Sequence, residues 1–414
     1  MKGVTILLLL CCRIVAWSGS ILIPMDGAQH NHLKAYGIAY FILHDQHQEM
    51  DWLLNYRGGS FLVAYSAVIE NECRIRGVSY ERLGDAAVTK VLNDIASPSQ
   101  NMNVVRMQTA PRVAVYSPKN DLLLDETDAV INVLDYAEIP YKIIYDEEVL
   151  HDALAGFDWL HLHHEDFTGQ PERLRWRESA KLEEEIQRIT ASKLGYAKVS
   201  AMKLDVAKKI KGFCSGGGYL FAMCSGAETI DIALAAEGHD LEEGLHGDDE
   251  SATPLEGKLD FTKTFAFENF VLDPPYSRRF SNINIDRVNF YERSSGYFSL
   301  FDFSAKYDLI PSLLTQNHEH LIQEFHGLTT AFNSDVLKNS TLVLGENKSQ
   351  HNVRYIYGEM GRGHWTFYGG HDPEGSPGRW REPADLNQHP HSPGYRLILN
   401  NVLFPSAQKK KLKT

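Results

Sequence analysis

Apolar residues in this chain come in short runs separated by longer stretches of helical spacing, the pattern expected when strands alternate with helices. ILIP at 21–24 predicts a strand and Gln29 to Gln46 a helix; DWLLNY supplies a second apolar run before the turn RGGS. SAVIENECRIRG and YERLGDAAVTKVLNDIA predict helices around a short strand near Val78. These segments form an N-terminal α/β lobe over 21–110, closed by the polar, proline-flanked stretch Ser97 to Pro111. A new series starts at Arg112: strand RVAVYSP, helix Asp125 to Ala137, strand YKIIYD and strand DWLHLHH. Helix across Lys181 to Lys211, strand GGGYLFAMC and helix SGAETIDIALAAEG continue it. Such a βαβ progression predicts a parallel sheet. From about 240 to 334 the pattern turns irregular, aromatic and strand-like, as in FTKTFAFENF, and reads as a β-rich insertion or cap. Strands resume at TLVLGEN, VRYIYGEMG and HWTFYGG, and GYRLILNNVLF predicts a closing helix.

Composition narrows the function classes. At 414 residues the chain exceeds one typical domain, which fits an N-terminal lobe followed by a larger unit over 111–414. A formal charge of -13 argues against nucleic-acid binding, because phosphate contacts need a clustered basic face. The first twenty residues differ from the rest: Lys2, an apolar run to Trp17, then Ser18, Gly19 and Ser20. That is the layout of an export signal cut before Ile21, and it predicts a periplasmic or secreted protein with no membrane span after processing. Cys11 and Cys12 inside the run leave a lipoprotein anchor as the minor alternative. Processing leaves Cys73, Cys214 and Cys224, an odd count that frees at least one thiol even in an oxidising compartment.

Cys224 draws the attention because it ends a predicted buried strand and opens a predicted helix, FAMCSGAETID. A nucleophile at such a turn needs small neighbours and gains from the helix amino terminus, and Ala222, Ser225, Gly226 and Ala227 are small. The Ser225 amide is then a candidate oxyanion donor, with a second donor from the loop holding His164 and Glu165. The competing reading makes Cys224 a small core residue. YGGHDPEG, following a late strand, offers His371 as a base and Asp372 or Glu374 as its orienter, although Asp, Pro and Gly are also turn formers. HLHHED packs imidazoles and carboxylates at a strand end. Strand periodicity puts His161, His163 and Glu165 on one face, a candidate divalent-metal site or polar lining for the cysteine pocket. No other cofactor is expected: GFCSGGGY lacks the Lys-Ser/Thr of a phosphate loop.

With these motifs in place, the region from Arg112 onward resembles the class I glutamine amidotransferase-like fold. FAMCSG stands where that fold has its Gly-x-Cys-x-Gly elbow, with Ala222 for the first glycine, and GHDPEG where it has His-Pro-Glu, with Asp372 inserted. GRGHWTFYGGHDPE and the helix after it look closer still to trehalose-utilisation-type members. LKAYGIAYFILHDQHQ, DWLLNYRGGSF, FDWLHLHHEDFTGQ and HSPGYRLILNNVLFP are similar to an exported bacterial family labelled asparagine synthetase B. The resemblance implies a flavodoxin-like parallel sheet and Cys224–His371–acid amide or acyl hydrolysis. Lys2, and Ser215-Gly216-Gly217 continuing as Gly218-Tyr219, do not supply the synthetase motifs that the label implies. Three readings therefore stand: a cysteine-dependent hydrolase, a non-catalytic carbohydrate- or peptide-binding protein walled by the aromatics of Phe261 to Phe303, and a metal-dependent hydrolase.

Overall fold

The computed structural model describes residues 19–117, 128–163, 165–170, 180–239, 241, 255, 257–274, 277, 279–285, 296–308, 310–315, 319–325, 329–375 and 382–407. The signal segment lies outside these residues up to 18, and so does His164. Gly19 and Ser20 belong to the first strand, which therefore begins two residues before the expected cut.

The N-terminal part is an antiparallel sheet with helices on it. Strands β1 (Gly19–Ile23), β2 (Met50–Leu54), β3 (Ser60–Ala64), β4 (Glu81–Gly84) and β5 (Asn103–Met107) lie in the order β4-β1-β3-β2-β5. Helices α1 (His32–His44), α2 (Ala67–Ile75) and α3 (Asp85–Ala96) complete it. The strand expected near Val78 falls instead at Glu81, because the Val78 amide turns back onto the Cys73 carbonyl and its side chain enters the core. The stretch expected as a boundary holds an edge strand, β5, whose Val105 and Met107 point inward. Helix α1 is apolar on nearly every side, which marks a helix enclosed by other elements. It lies against α4 (Ala129–Ala137) and α9 (Pro393–Leu403), and one core cluster runs from Ile21 and Trp52 through α1 to Val113, Phe221 and Tyr368. Gly37 permits this approach, since a Cβ there would sit 1.8 Å from the Ala137 carbonyl oxygen.

The larger sheet mixes parallel and antiparallel strands. Its parallel part comprises β6 (Val113–Tyr116), β7 (Tyr141–Ile144), β8 (Trp159–Leu162), β9 (Tyr219–Met223) and β15 (Gly363–Tyr368), in the order β7-β6-β8-β9-β15. Counting only these five, the order is second, first, third, fourth, fifth. Beyond β15 the sheet continues antiparallel through β14 (Asn352–Met360), β13 (Leu342–Asn347), β10 (Tyr297–Leu300) and β11 (Leu321–Gln323), while β12 (Phe332–Asn333) pairs with β14. The insertion thus lends strands to the edge of this sheet.

Helices α5 (Asp146–Leu150), α6 (Ala180–Lys193), α7 (Val199–Gly216) and α8 (Cys224–Ala235) complete the chain. The helix expected across Lys181 to Lys211 is therefore two, broken around Gly195. FTKTFAFENF forms no strand. The amides of Phe265, Ala266 and Phe267 donate to the buried Asp231 carboxylate of α8, which satisfies them without a ladder. Among the described aromatics of the insertion, Phe265, Phe267, Phe270, Phe280 and Phe298 are buried in the core, whereas Tyr297 and Phe301 are exposed. Cys73, Cys214 and Cys224 form no disulfide, and all three are buried. Among the described residues no helix is long and apolar enough to cross a membrane.

Candidate functional site

Strand β9 is buried along almost its whole length, and α8 starts at the very next residue. Met223 is still extended at φ -123°, ψ 161°, whereas Cys224 turns at φ +50°. A non-glycine residue in the left-handed region costs of the order of 1–2 kcal/mol and persists only where its surroundings enforce it. The enforcement is visible two residues on. The Gly226 amide donates to the His163 carbonyl at 2.8 Å, and a Cβ on Gly226 would lie 2.4 Å from that same oxygen. Only glycine lets α8 close onto the end of β8 and still make that bond. Further latches follow: Thr229 Oγ1 donates to the Glu165 carbonyl at 2.7 Å and accepts from the Phe167 amide at 3.3 Å. Cys224 itself is 1 % exposed and opens α8 at its amino terminus.

Three neighbouring parallel strands deliver the rest. In register, Tyr368 of β15 faces Met223 of β9, and Leu162 of β8 faces Ala222. His371, Cys224 and His163 follow these strand ends. Strands β8 and β15 flank β9 and so stand about 9.6 Å apart, two strand spacings. Yet the rings of His163 and His371 stack with centroids 4.3 Å apart at 16°. They must lean toward each other across the end of β9, where Cys224 begins α8. The strand before His371, β15, pairs with the cysteine strand β9; the stacking of His163 on His371 was not legible in the sequence.

The acids after His371 have partners within their own loop. Asp372 Oδ1 accepts from the Glu374 amide and the Tyr395 hydroxyl, and Oδ2 accepts from the Ala384 amide. Glu374 pairs with His389 at 3.2 Å. Both carboxylates therefore shape the loop that carries His371, a use that turn chemistry favours for an Asp-Pro segment. The acid that the structure places between His161 and His163 is Asp128, whose Oδ2 lies 3.3 Å from His161 Nε2 and 3.3 Å from His163 Nδ1. Burial alone would raise the Asp128 carboxyl, but the two imidazoles overcome it and hold the group well below the usual carboxylate range. Its Oδ1 caps α4 by accepting from the Val130 and Ile131 amides. Asp before an apolar helical run is an N-cap signal, so Asp128 was readable as a cap, though not as a partner of histidines thirty residues on. Burial first, then the charges of Asp146 and Glu165, push the Tyr116 phenol well above its ordinary value.

No family model and no curated protein matches the chain. Among solved structures, the cytoplasmic protein STM3548 from Salmonella typhimurium aligns at 10% identity and TM-score 0.37, covering 72% of this chain and all of that one. The cytoplasmic protein STM1381 from Salmonella typhimurium LT2 aligns at 12% identity and TM-score 0.35, covering 72% and 99%.

Two further features frame the site. At the carboxyl end of β6, Tyr116 donates to Asp146 at 2.6 Å, and Lys203 Nζ reaches Asp146 at 2.9 Å and the Tyr116 hydroxyl at 2.9 Å, all three side chains being buried. This ion pair ties α5, α7 and β6 together beside the strand ends. A cleft of about 810 Å³ opens at the opposite end of β9, lined by Phe157, Tyr196, Lys208 and Gly216 among others. Ligands of parallel α/β sheets sit at the carboxyl ends of the strands, so the Cys224 end is the stronger candidate.

Proposed function

We propose that the protein is an exported cysteine-dependent amide or acyl hydrolase of the class I glutamine amidotransferase-like fold. The observation that carries this reading is Cys224 at φ +50° between β9 and α8, the strained strand-to-helix turn that aims a nucleophile at the crevice. The strand order second, first, third, fourth, fifth is that of flavodoxin-like sheets and supports the same fold. In the proposed reaction His371 takes the Cys224 proton and the thiolate attacks the carbonyl carbon. The resulting oxyanion is held by the Ser225 amide, and the protonated imidazole gives its proton to the departing amine. Water, deprotonated by the same imidazole, then cleaves the thioester. The His371 ring stacks on His163, which supports its orientation alongside Asp372 or Glu374 as the proposed orienter. Because Cys224 is 1 % exposed, substrate entry requires the covering segments to part.

The second reading, non-catalytic binding of a carbohydrate or peptide, keeps the exposed Tyr297 and Phe301 as candidate contacts, while Phe265, Phe267, Phe270, Phe280 and Phe298 are buried. The synthetase label would require ATP chemistry for which the chain offers no phosphate loop. The test is acyl trapping with p-nitrophenyl acetate. Acid-quenched protein should carry one acetyl group on the Cys224 peptide, formed more slowly in His371→Ala, which lacks the base that takes the thiol proton. No adduct on Cys224, or hydrolysis unchanged in Cys224→Ala, would overturn the proposal.

A further inference from the structure

We propose that Asp128, His161 and His163 form a buried divalent-metal site of the zinc class, independent of the role given to Cys224. One ligand atom from each of the three lies within 4.8 Å of the others, and the residues are 4%, 0% and 1% exposed. The separations fit a metal better than direct hydrogen bonds. With metal–ligand bonds of roughly 2.0–2.1 Å and tetrahedral angles, two ligands stand about 3.3 Å apart. Asp128 Oδ2 is 3.3 Å from both His161 Nε2 and His163 Nδ1, and His161 Nε2 has no hydrogen bond in acceptable geometry among the described residues.

The tautomer points the same way. His161 Nδ1 lies 3.2 Å from the Phe221 carbonyl oxygen, so Nδ1 carries a proton, and Nε2 meets the Asp128 carboxylate through either a second proton or a cation. With a neutral ring, two lone pairs that close repel unless a cation lies between them. An imidazole that donates one nitrogen to a backbone carbonyl and offers the other to the metal is the usual arrangement around zinc. Two imidazoles and a carboxylate suit zinc or a neighbouring first-row ion better than magnesium or calcium, which prefer all-oxygen sets. Zinc takes four ligands, so three side chains leave a position for water or a substrate oxygen. His163 also stacks on His371, so the ion would fix the ring on which the proposed base rests.

The test uses chelator-stripped full-length protein titrated with Zn²⁺ by calorimetry and with Co²⁺ by visible absorption. One equivalent should bind, with the intense d–d bands of tetrahedral Co²⁺, and zinc should raise the thermal midpoint. Asp128→Asn keeps an N-cap, since asparagine caps as well as aspartate, yet loses the anionic ligand. It and His161→Gln should each weaken zinc at least about 100-fold, beyond the usual cost of losing a supporting group, while circular dichroism stays native. Cys224→Ser should bind zinc like the parent, which separates this site from the cysteine chemistry. Parent protein that binds no more tightly than Asp128→Asn, or a Cys224→Ser protein that loses the ion, overturns the three-residue site.

Discussion

The left-handed backbone at Cys224 makes a prediction opposite in sign to ordinary helix behaviour. At an ordinary first-turn position, replacing alanine by glycine costs about 0.5–1 kcal/mol, because glycine gives up more backbone freedom on folding. At φ +50° the Cβ itself is strained, and alanine is disfavoured by more than glycine's entropy cost. Cys224→Gly and Cys224→Ala both lose the sulfur, so its packing cancels in their comparison. The remaining terms are strain of about 1–2 kcal/mol against alanine and, for it, burial of one methyl and a stiffer unfolded chain. Since measured substitutions at such positions favour glycine, Cys224→Gly should exceed Cys224→Ala in stability by about 1 kcal/mol. Urea unfolding followed by circular dichroism, with equal m-values in both variants, reads the difference as a shift in midpoint. An alanine variant as stable as the glycine variant, or more so, would show that residue 224 is an ordinary helical residue and that no elbow exists.

Gly226→Ala should lose about 2–4 kcal/mol in the same assay, from a Cβ 2.4 Å from the His163 oxygen plus the weakened 2.8 Å hydrogen bond; a loss under 1 kcal/mol would mean that β8 and α8 yield freely. Lys203→Met leaves Asp146 buried without its cation and should cost about 3–5 kcal/mol, with Lys203→Met/Asp146→Asn recovering part of it; equal losses in the single and double variants would contradict that coupling. Burial pushes the Asp231 carboxyl up to about 6, despite three amide donors that pull the other way. A carboxyl raised in the folded state contributes stability below its unfolded value, and that contribution is lost as pH rises through about 6, for a total of about 3 kcal/mol. Urea titrations from pH 4 to pH 7 should therefore show a decline in the parent relative to Asp231→Asn, even though the amide itself disrupts the cradle. Parallel pH curves for the two proteins would place the titration elsewhere.

What the sequence disclosed followed from local periodicity. The run YLFAM ending at a cysteine flanked by small residues reads as a buried strand entering a helix, and it is one. The βαβ alternation after Arg112 gave parallel strands, whereas strand order and the antiparallel continuation depend on long-range pairing that periodicity does not encode. Tertiary demand also overrode local pattern. The aromatic run around Phe265 has strand composition but spends its amides on Asp231, a buried acid whose partner could not be foreseen from residue spacing. The same holds for Asp128: its cap was local, while its histidines arrive from β8 through the sheet. Proximity along the chain favoured Glu165, two residues from His163, over an acid thirty-five residues away.

Thiol reactivity tests the central claim most directly. Iodoacetamide labelling of the native protein, resolved by peptide mass spectrometry across pH, compares Cys224 with two internal controls. Burial pushes the Cys73 and Cys214 thiols up to about 12, which leaves them inert near neutrality. A nucleophile at the amino end of α8 should label first, with a midpoint below the roughly 8.5 of an ordinary thiol, and His371→Ala should slow it. Cys224 labelling no faster than Cys73 and Cys214, or following the pH profile of the denatured chain, would contradict the account.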